Sequence, residues 1–176
     1  MPTDEHLIEA SDARVTLVEY GDFECPYSAR AYLVVQVVLD ELGDALNYVF
    51  RNFPMAERHA HAMTAAEASE SVAAHAGESA YWLMHGILFQ NQDALGIDDL
   101  LAYADAIGAP IDRVASDLSS GAMRSRVERD VRLAQKDGVT GTPAFFVNGR
   151  SFDGDWMDAD GLIAVLRAAA RERALR

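Results

Sequence analysis

The chain carries one cysteine, Cys25, in 176 residues. A single thiol forms no disulfide within the chain, which excludes a disulfide-stapled secreted domain and a cysteine-based zinc module. Long apolar runs are missing as well. No stretch approaches the roughly 18 uninterrupted apolar residues of a membrane-spanning helix, so no membrane partner is expected. Basic charge is scarce: 15 Lys and Arg stand against 28 Asp and Glu, a net charge of −13, and this argues against nucleic acid. The leader Met1-Pro2-Thr3-Asp4-Glu5-His6 has no basic segment followed by an apolar one, and the expectation is therefore a cytoplasmic protein without a secretory signal.

What is present supports a globular domain. Half of the residues are hydrophobic and 24% are charged, enough to bury a core. At about 150 residues per domain the length suits one domain enlarged by an insertion.

Val15-Thr16-Leu17-Val18-Glu19-Tyr20 is β-branched and mostly apolar, the pattern of a buried strand. Gly21-Asp22-Phe23-Glu24 turns the chain, and Cys25-Pro26-Tyr27-Ser28 opens a helix that Gly43 stops. The valine-rich middle of that helix, Tyr32 to Leu39, is ambiguous in composition, and its start and stop signals favour a helix. Leu46 to Phe53 reads as a second strand, ended by Pro54. From His59 to Asp137 every periodic segment is helical: His59–Ala76 with eight alanines, Glu78–Gln92, Ile97–Ile107, Pro110–Leu118 and Ala122–Asp137. Strand character returns at Ala144-Phe145-Phe146-Val147. There Asn148-Gly149 is a strong two-residue hairpin signal, with Arg150-Ser151-Phe152 returning. A last helix starts at Asp158 or Asp160, and Arg167, Arg171, Arg173 and Arg176 toward its end oppose the negative pole of its dipole. The order is a βαβ half and a ββα half with an all-helical insertion between them.

Cys25 follows a strand and lies at the first turn of a helix. Unpaired backbone N–H groups around Tyr27 and Ser28 favour the thiolate there, the form that attacks a disulfide. Ser28 is placed to donate a further hydrogen bond to the sulfur. The plain alternative is an inert buried thiol. Glu19, Asp22 and Glu24 oppose a thiolate if their side chains face it. Glu24 is also a candidate proton relay, against the plainer role of a solvated acid. The second element is Gly138-Val139-Thr140-Gly141-Thr142-Pro143, a tight turn delivering Pro143 to a strand start, where a cis Thr142–Pro143 bond is a natural expectation.

Gly-Asp-Phe-Glu-Cys-Pro-Tyr-Ser after Val15–Tyr20, with Val-Thr-Gly-Thr-Pro-Ala-Phe-Phe-Val-Asn-Gly later, resembles the DsbA-like branch of the thioredoxin fold over nearly the whole chain. The resemblance implies an α/β thioredoxin fold, a central mixed β-sheet flanked by helices. Residues 1–58 and 138–176 would form the thioredoxin-like domain and 59–137 the inserted helical subdomain. It implies thiol–disulfide chemistry with Cys25 as the nucleophile, Pro26 and Tyr27 as the tuning dipeptide, and Thr142 and Pro143 as the dock for an extended substrate peptide. Ser28 stands where the family has its second cysteine. Attack by Cys25 on a disulfide then stops at a mixed disulfide until an external thiol resolves it.

The expected activity is monothiol oxidoreductase or isomerase chemistry on protein cysteines or disulfides. No cofactor is implied beyond glutathione or another low-molecular-weight thiol as co-substrate, and the expected state is a monomer or weak homodimer. Two alternatives stay open: a degenerate peptide-binding module without turnover, and a trapping variant of a dithiol enzyme, which carries the same Cys-Pro-Tyr-Ser. A glutathione-transferase-like activity ranks below these. His59 and His61 are two apart and make a poor metal pair, and His75 and His85 add no ligand pattern. Trp82, Tyr81 and Phe89 read as core. Leu33 and Val37 lie opposite the buried face of the first helix, where coverage by the insertion is expected.

Overall fold

A computed structural model describes residues 5–174, with side chains through 172. The elements in chain order are β1 (His6–Ile8), β2 (Val15–Gly21), α1 (Pro26–Leu42), β3 (Leu46–Asn52), α2 (Ala62–Ala76), α3 (Glu78–Gln90), α4 (Ile97–Ala106), α5 (Ile111–Ser120), α6 (Arg124–Lys136), β4 (Ala144–Val147), β5 (Arg150–Ser151) and α7 (Ala159–Ala174). The strands form one mixed sheet in the order β1-β3-β2-β4-β5. The α/β thioredoxin-type architecture expected from the sequence is therefore present. Met1–Asp4 of the leader and Arg176 lie outside the described residues.

The chain forms two compact units. The first comprises Met1–Gly21, Arg30–Arg51 and Pro143–Arg176 and holds the sheet. Its strand β2 alternates buried and half-buried residues before becoming fully buried at Glu19, Tyr20 and Gly21. β4 runs antiparallel beside it, Leu17 facing Val147 and Tyr20 facing Ala144. The hairpin to β5 turns through Asn148 at φ 49° and Gly149 at φ 78°. Both lie in the left-handed region that a two-residue type I′ turn demands. The part of α1 in this unit buries Ala31, Val35 and Val38, and α7 buries Leu162, Ile163 and Leu166. Helix therefore prevails over strand in the valine-rich stretch, as its end signals required.

Three features depart from the sequence reading. β1 pairs antiparallel with β3, His6 opposite Phe50; three residues are too few to show a period. The helix expected from His59 begins at Ala62, because His59 and His61 are drawn into other bonds. Leu33 and Val37 are not covered: they are 63% and 50% exposed, and the apolar face on which they lie meets solvent.

Gly21 closes β2 because nothing larger fits. A Cβ there would stand 2.4 Å from Cε2 of Phe50, whose ring is completely buried. Gly21→Ala is expected to cost about 1–3 kcal/mol through overpacking, measured by chemical denaturation. A loss below about 0.5 kcal/mol, the range of neutral surface changes, would show that the ring yields freely.

The second unit comprises Asp22–Ala29 and Asn52–Thr142, so the Cys25 loop and the first turn of α1 group with the helical block. At its centre α2 buries Ala62, Ala65, Ala66, Ala68 and Val72 and packs against α3, α4, α5 and α6. Small side chains permit this close approach on all sides. Tyr81, Met84, Leu88 and Phe89 of α3 complete the core as the pattern predicts, together with Leu100, Val114 and Val127. α2 also buries Glu67 and Glu70, which meet Arg124 and Arg126 of α6.

Candidate active site around Cys25

Cys25 caps the start of α1. Its N–H donates to the Asp22 carbonyl at 3.0 Å, and its own carbonyl accepts the Ala29 N–H at 3.1 Å, the first bond of the helix. Gln92 Nε2 bridges the Phe23 and Cys25 carbonyls at 2.9 Å each, pinning the loop to the end of the α3 segment. The residue is 4% exposed, and its thiol donates to the Thr142 carbonyl oxygen at 3.5 Å. The two motifs singled out in the sequence therefore meet at the sulfur. Pro143 follows Thr142 at the entry to β4 and is half-buried.

Ser28 takes a different partner from the one expected. It is fully buried, and its hydroxyl oxygen accepts the Asp22 N–H at 3.3 Å, which ties the turn to the helix. Pro26 and Tyr27, which follow the nucleophile directly in sequence, are exposed, Tyr27 by 55%.

The three acids before and beside Cys25 prove to be occupied. Burial lifts Glu19 to about 8, only partly opposed by the hydrogen bond from Tyr48, so near neutral pH it is mainly uncharged. The Tyr48 hydroxyl donates to Glu19 Oε2 at 2.7 Å, and Oε1 has no hydrogen-bond partner. Asp22 accepts the Glu24 N–H on Oδ1 and the Met55 N–H on Oδ2, both at 2.8 Å. Its Oδ2 also meets His59 Nδ1 at 2.7 Å. Glu24 Oε2 accepts the His61 N–H at 2.6 Å, one of the otherwise unpaired donors at the start of α2, where a carboxylate also suits the helix dipole.

Sequence reasoning missed Met55, His59 and Gln92 as members of this site. Met55 was legible only as a loop residue after Pro54. Here its sulfur accepts the Thr142 hydroxyl at 3.7 Å. The histidines disperse rather than cluster: His59 goes to Asp22, His75 to Asp117 at 2.9 Å, and His85 to the rings of Phe23, Trp82 and Phe89. No group of three metal-capable side chains occurs among the described residues.

The thioredoxin family model matches residues 2–165. This chain belongs to the thioredoxin family. The fold of this thioredoxin-family chain is similar to that of oxidised BdbD from Bacillus subtilis, with a TM-score of 0.84 and 23% identity, covering 97% of this chain and 95% of that one. MdbA from Corynebacterium diphtheriae, a thiol-disulfide oxidoreductase, aligns at TM-score 0.73 and 21% identity over 95% and 90% of the two chains. The DsbA-like resemblance drawn from the two motifs is thus borne out. In sequence the thioredoxin-family chain is 37% identical over 175 residues to the Na(+)/H(+) antiporter NhaA 3 of Salinispora tropica, covering 99% of this chain and 26% of that protein. It spans about a quarter of the length of the curated relatives that it matches. No helix among the described residues is long and apolar enough to cross a membrane.

Proposed function

We propose that the chain is a monothiol thiol–disulfide exchange protein working through Cys25. The Cys25 thiolate attacks one sulfur of a disulfide, forms a mixed disulfide and releases the other sulfur as a thiolate. An external low-molecular-weight thiol then attacks the mixed disulfide, takes over the bound sulfur and frees Cys25. The sum is exchange of one thiol for another in the substrate disulfide, with no net change in the number of disulfides. Ser28 cannot take the resolving role, having no thiol. Protein cysteines presented as an extended strand beside Thr142 and Pro143 suit the site, since main-chain docking of this kind resembles strand addition.

The observation that carries the reading is the thiol at the start of α1, hydrogen-bonded to the Thr142 carbonyl. This carbonyl belongs to the residue before Pro143, which supports docking of an extended peptide at Thr142, next to the nucleophile. A peptide-holding module without turnover would use the same Thr142–Pro143 segment. The 4% exposure of Cys25 is what favours that second reading.

Glutathione disulfide separates the two. Mixed-disulfide formation, followed by intact mass, is expected to be faster in the folded protein than in the urea-unfolded chain at the same pH. The peptide-holding reading predicts the reverse order, because burial would then only shield the sulfur.

A further inference from the structure

Four residues close a ring of hydrogen bonds around the thiol. The Cys25 N–H donates to the Asp22 carbonyl, and the Asp22 carboxylate accepts the Met55 N–H. The Met55 sulfur accepts the Thr142 hydroxyl, and the Thr142 carbonyl accepts the Cys25 thiol. Asp22 is the one charged member. Its side chain has no exposure to solvent, and Nδ1 of His59, a residue whose side chain is 19% exposed, lies 2.7 Å from its Oδ2.

A buried carboxylate stripped of its counter-charge is costly. In the same hydrogen-bonded ring as the thiol, an uncompensated negative charge would also oppose an anionic sulfur. Glu24, the other acid of this loop, faces the start of α2 through the His61 N–H and supplies no cation. We propose that His59 is a positioning residue for the Cys25 reaction, acting through Asp22. Its Nδ1 bond to Oδ2, an ion pair when the ring is protonated, offsets the buried carboxylate, so that Asp22 can hold the turn and the Met55–Thr142 arm in place without opposing the thiolate. This inference rests on the reading of Cys25 as a nucleophile.

The test is the alkylation rate of Cys25 by iodoacetamide, a neutral reagent, in the folded protein at one pH, with folding checked by circular dichroism. His59→Gln is expected to slow alkylation about ten-fold, the size of an uncompensated charge at short range in a protein. His59→Lys keeps the cation and is expected to hold the rate within about three-fold of the parent. Adding Asp22→Asn to His59→Gln removes the carboxylate that needed cancelling and is expected to restore the rate to within the same margin.

A purely structural clamp predicts the opposite, because removing both partners then loosens the loop at least as much as removing one. The proposal is overturned if His59→Gln reacts within about two-fold of the parent, or if the double variant folds and is as slow as His59→Gln. If the Asp22 variants do not fold, the comparison of Lys with Gln at position 59 decides, and equal rates refute the proposal. A parent protein that fails with glutathione disulfide refutes the exchange function instead, and leaves this alkylation series to be judged on its own pattern.

Discussion

Asp130→Ala is expected to lower the stability of the chain by about 3–5 kcal/mol, the cost of breaking a buried ion pair from one side. Asp130 has no solvent exposure. It receives Arg126 Nη1 at 2.8 Å, and Arg129 lies 3.6 Å from the same oxygen. Its other oxygen accepts the Asn52 N–H at 3.1 Å, while Asn52 Nδ2 donates to Glu70 Oε1 at 2.8 Å. Burial pushes the Asp130 carboxyl above the usual range, although Arg126 and the Asn52 N–H pull it back. Removing the carboxylate leaves Arg126 facing Glu70 at 3.5 Å, and leaves a buried N–H without its acceptor. Asn52 begins the segment that carries Met55 and His59, so the cluster also anchors one arm of the site. Urea denaturation measures the loss. Asp130→Ala with Arg126→Met should be less damaging than the sum of the single changes, since neither charge is then stranded. A single-variant loss below about 1 kcal/mol, no more than an exposed pair contributes, would mean that the cluster is effectively solvated.

The second large effect is a pH dependence centred on Glu19. In the unfolded chain this carboxyl ionises near its ordinary value of 4.5, whereas in the folded chain it holds its proton up to about 8. Between those values the folded state binds the extra proton, so the contribution of Glu19 to stability falls as pH rises. It is fully present below 4.5 and lost as pH passes through about 8. At about 1.4 kcal/mol per decade of proton concentration, the effect is on the order of 5 kcal/mol. Glu19→Gln keeps an oxygen for the Tyr48 hydroxyl and cannot ionise. The variant should therefore gain on the parent by several kcal/mol between pH 5 and pH 8.5 in chemical denaturation. A parent–variant difference that does not change with pH would show that Glu19 ionises in both states alike.

The fold was legible where signals are local. The β-branched run before Gly21, the Pro26 start and Gly43 stop of α1, and the Asn148-Gly149 turn each act within a few residues, and each appears where the pattern puts it. Cys25 and Thr142 were legible as separate motifs, and their meeting at 3.5 Å follows from the family resemblance rather than from periodicity. What escaped was partner choice. Met55 and His59 reach Asp22 across 33 and 37 residues, and Gln92 reaches the Cys25 carbonyl across 67. Hydrophobic period reports which face is buried, not which polar group it meets. For the same reason Leu33 and Val37 looked like residues awaiting cover, whereas they remain exposed. Ser28 shows the finer limit. Its place in the first turn of α1 is legible from the sequence, but its hydroxyl serves the Asp22 N–H because that donor lies in the turn folded back on the helix start.

Under the proposed function a folded site, rather than a lone accessible thiol, makes Cys25 reactive, and an external thiol completes its cycle. Reduced protein is mixed with glutathione disulfide, sampled by intact mass over time, and then treated with reduced glutathione, with the urea-unfolded chain run in parallel. A glutathionyl adduct is expected that forms faster in the folded chain and is fully released on addition of the thiol. An adduct that forms more slowly in the folded chain, or one that reduced glutathione does not release, would contradict it.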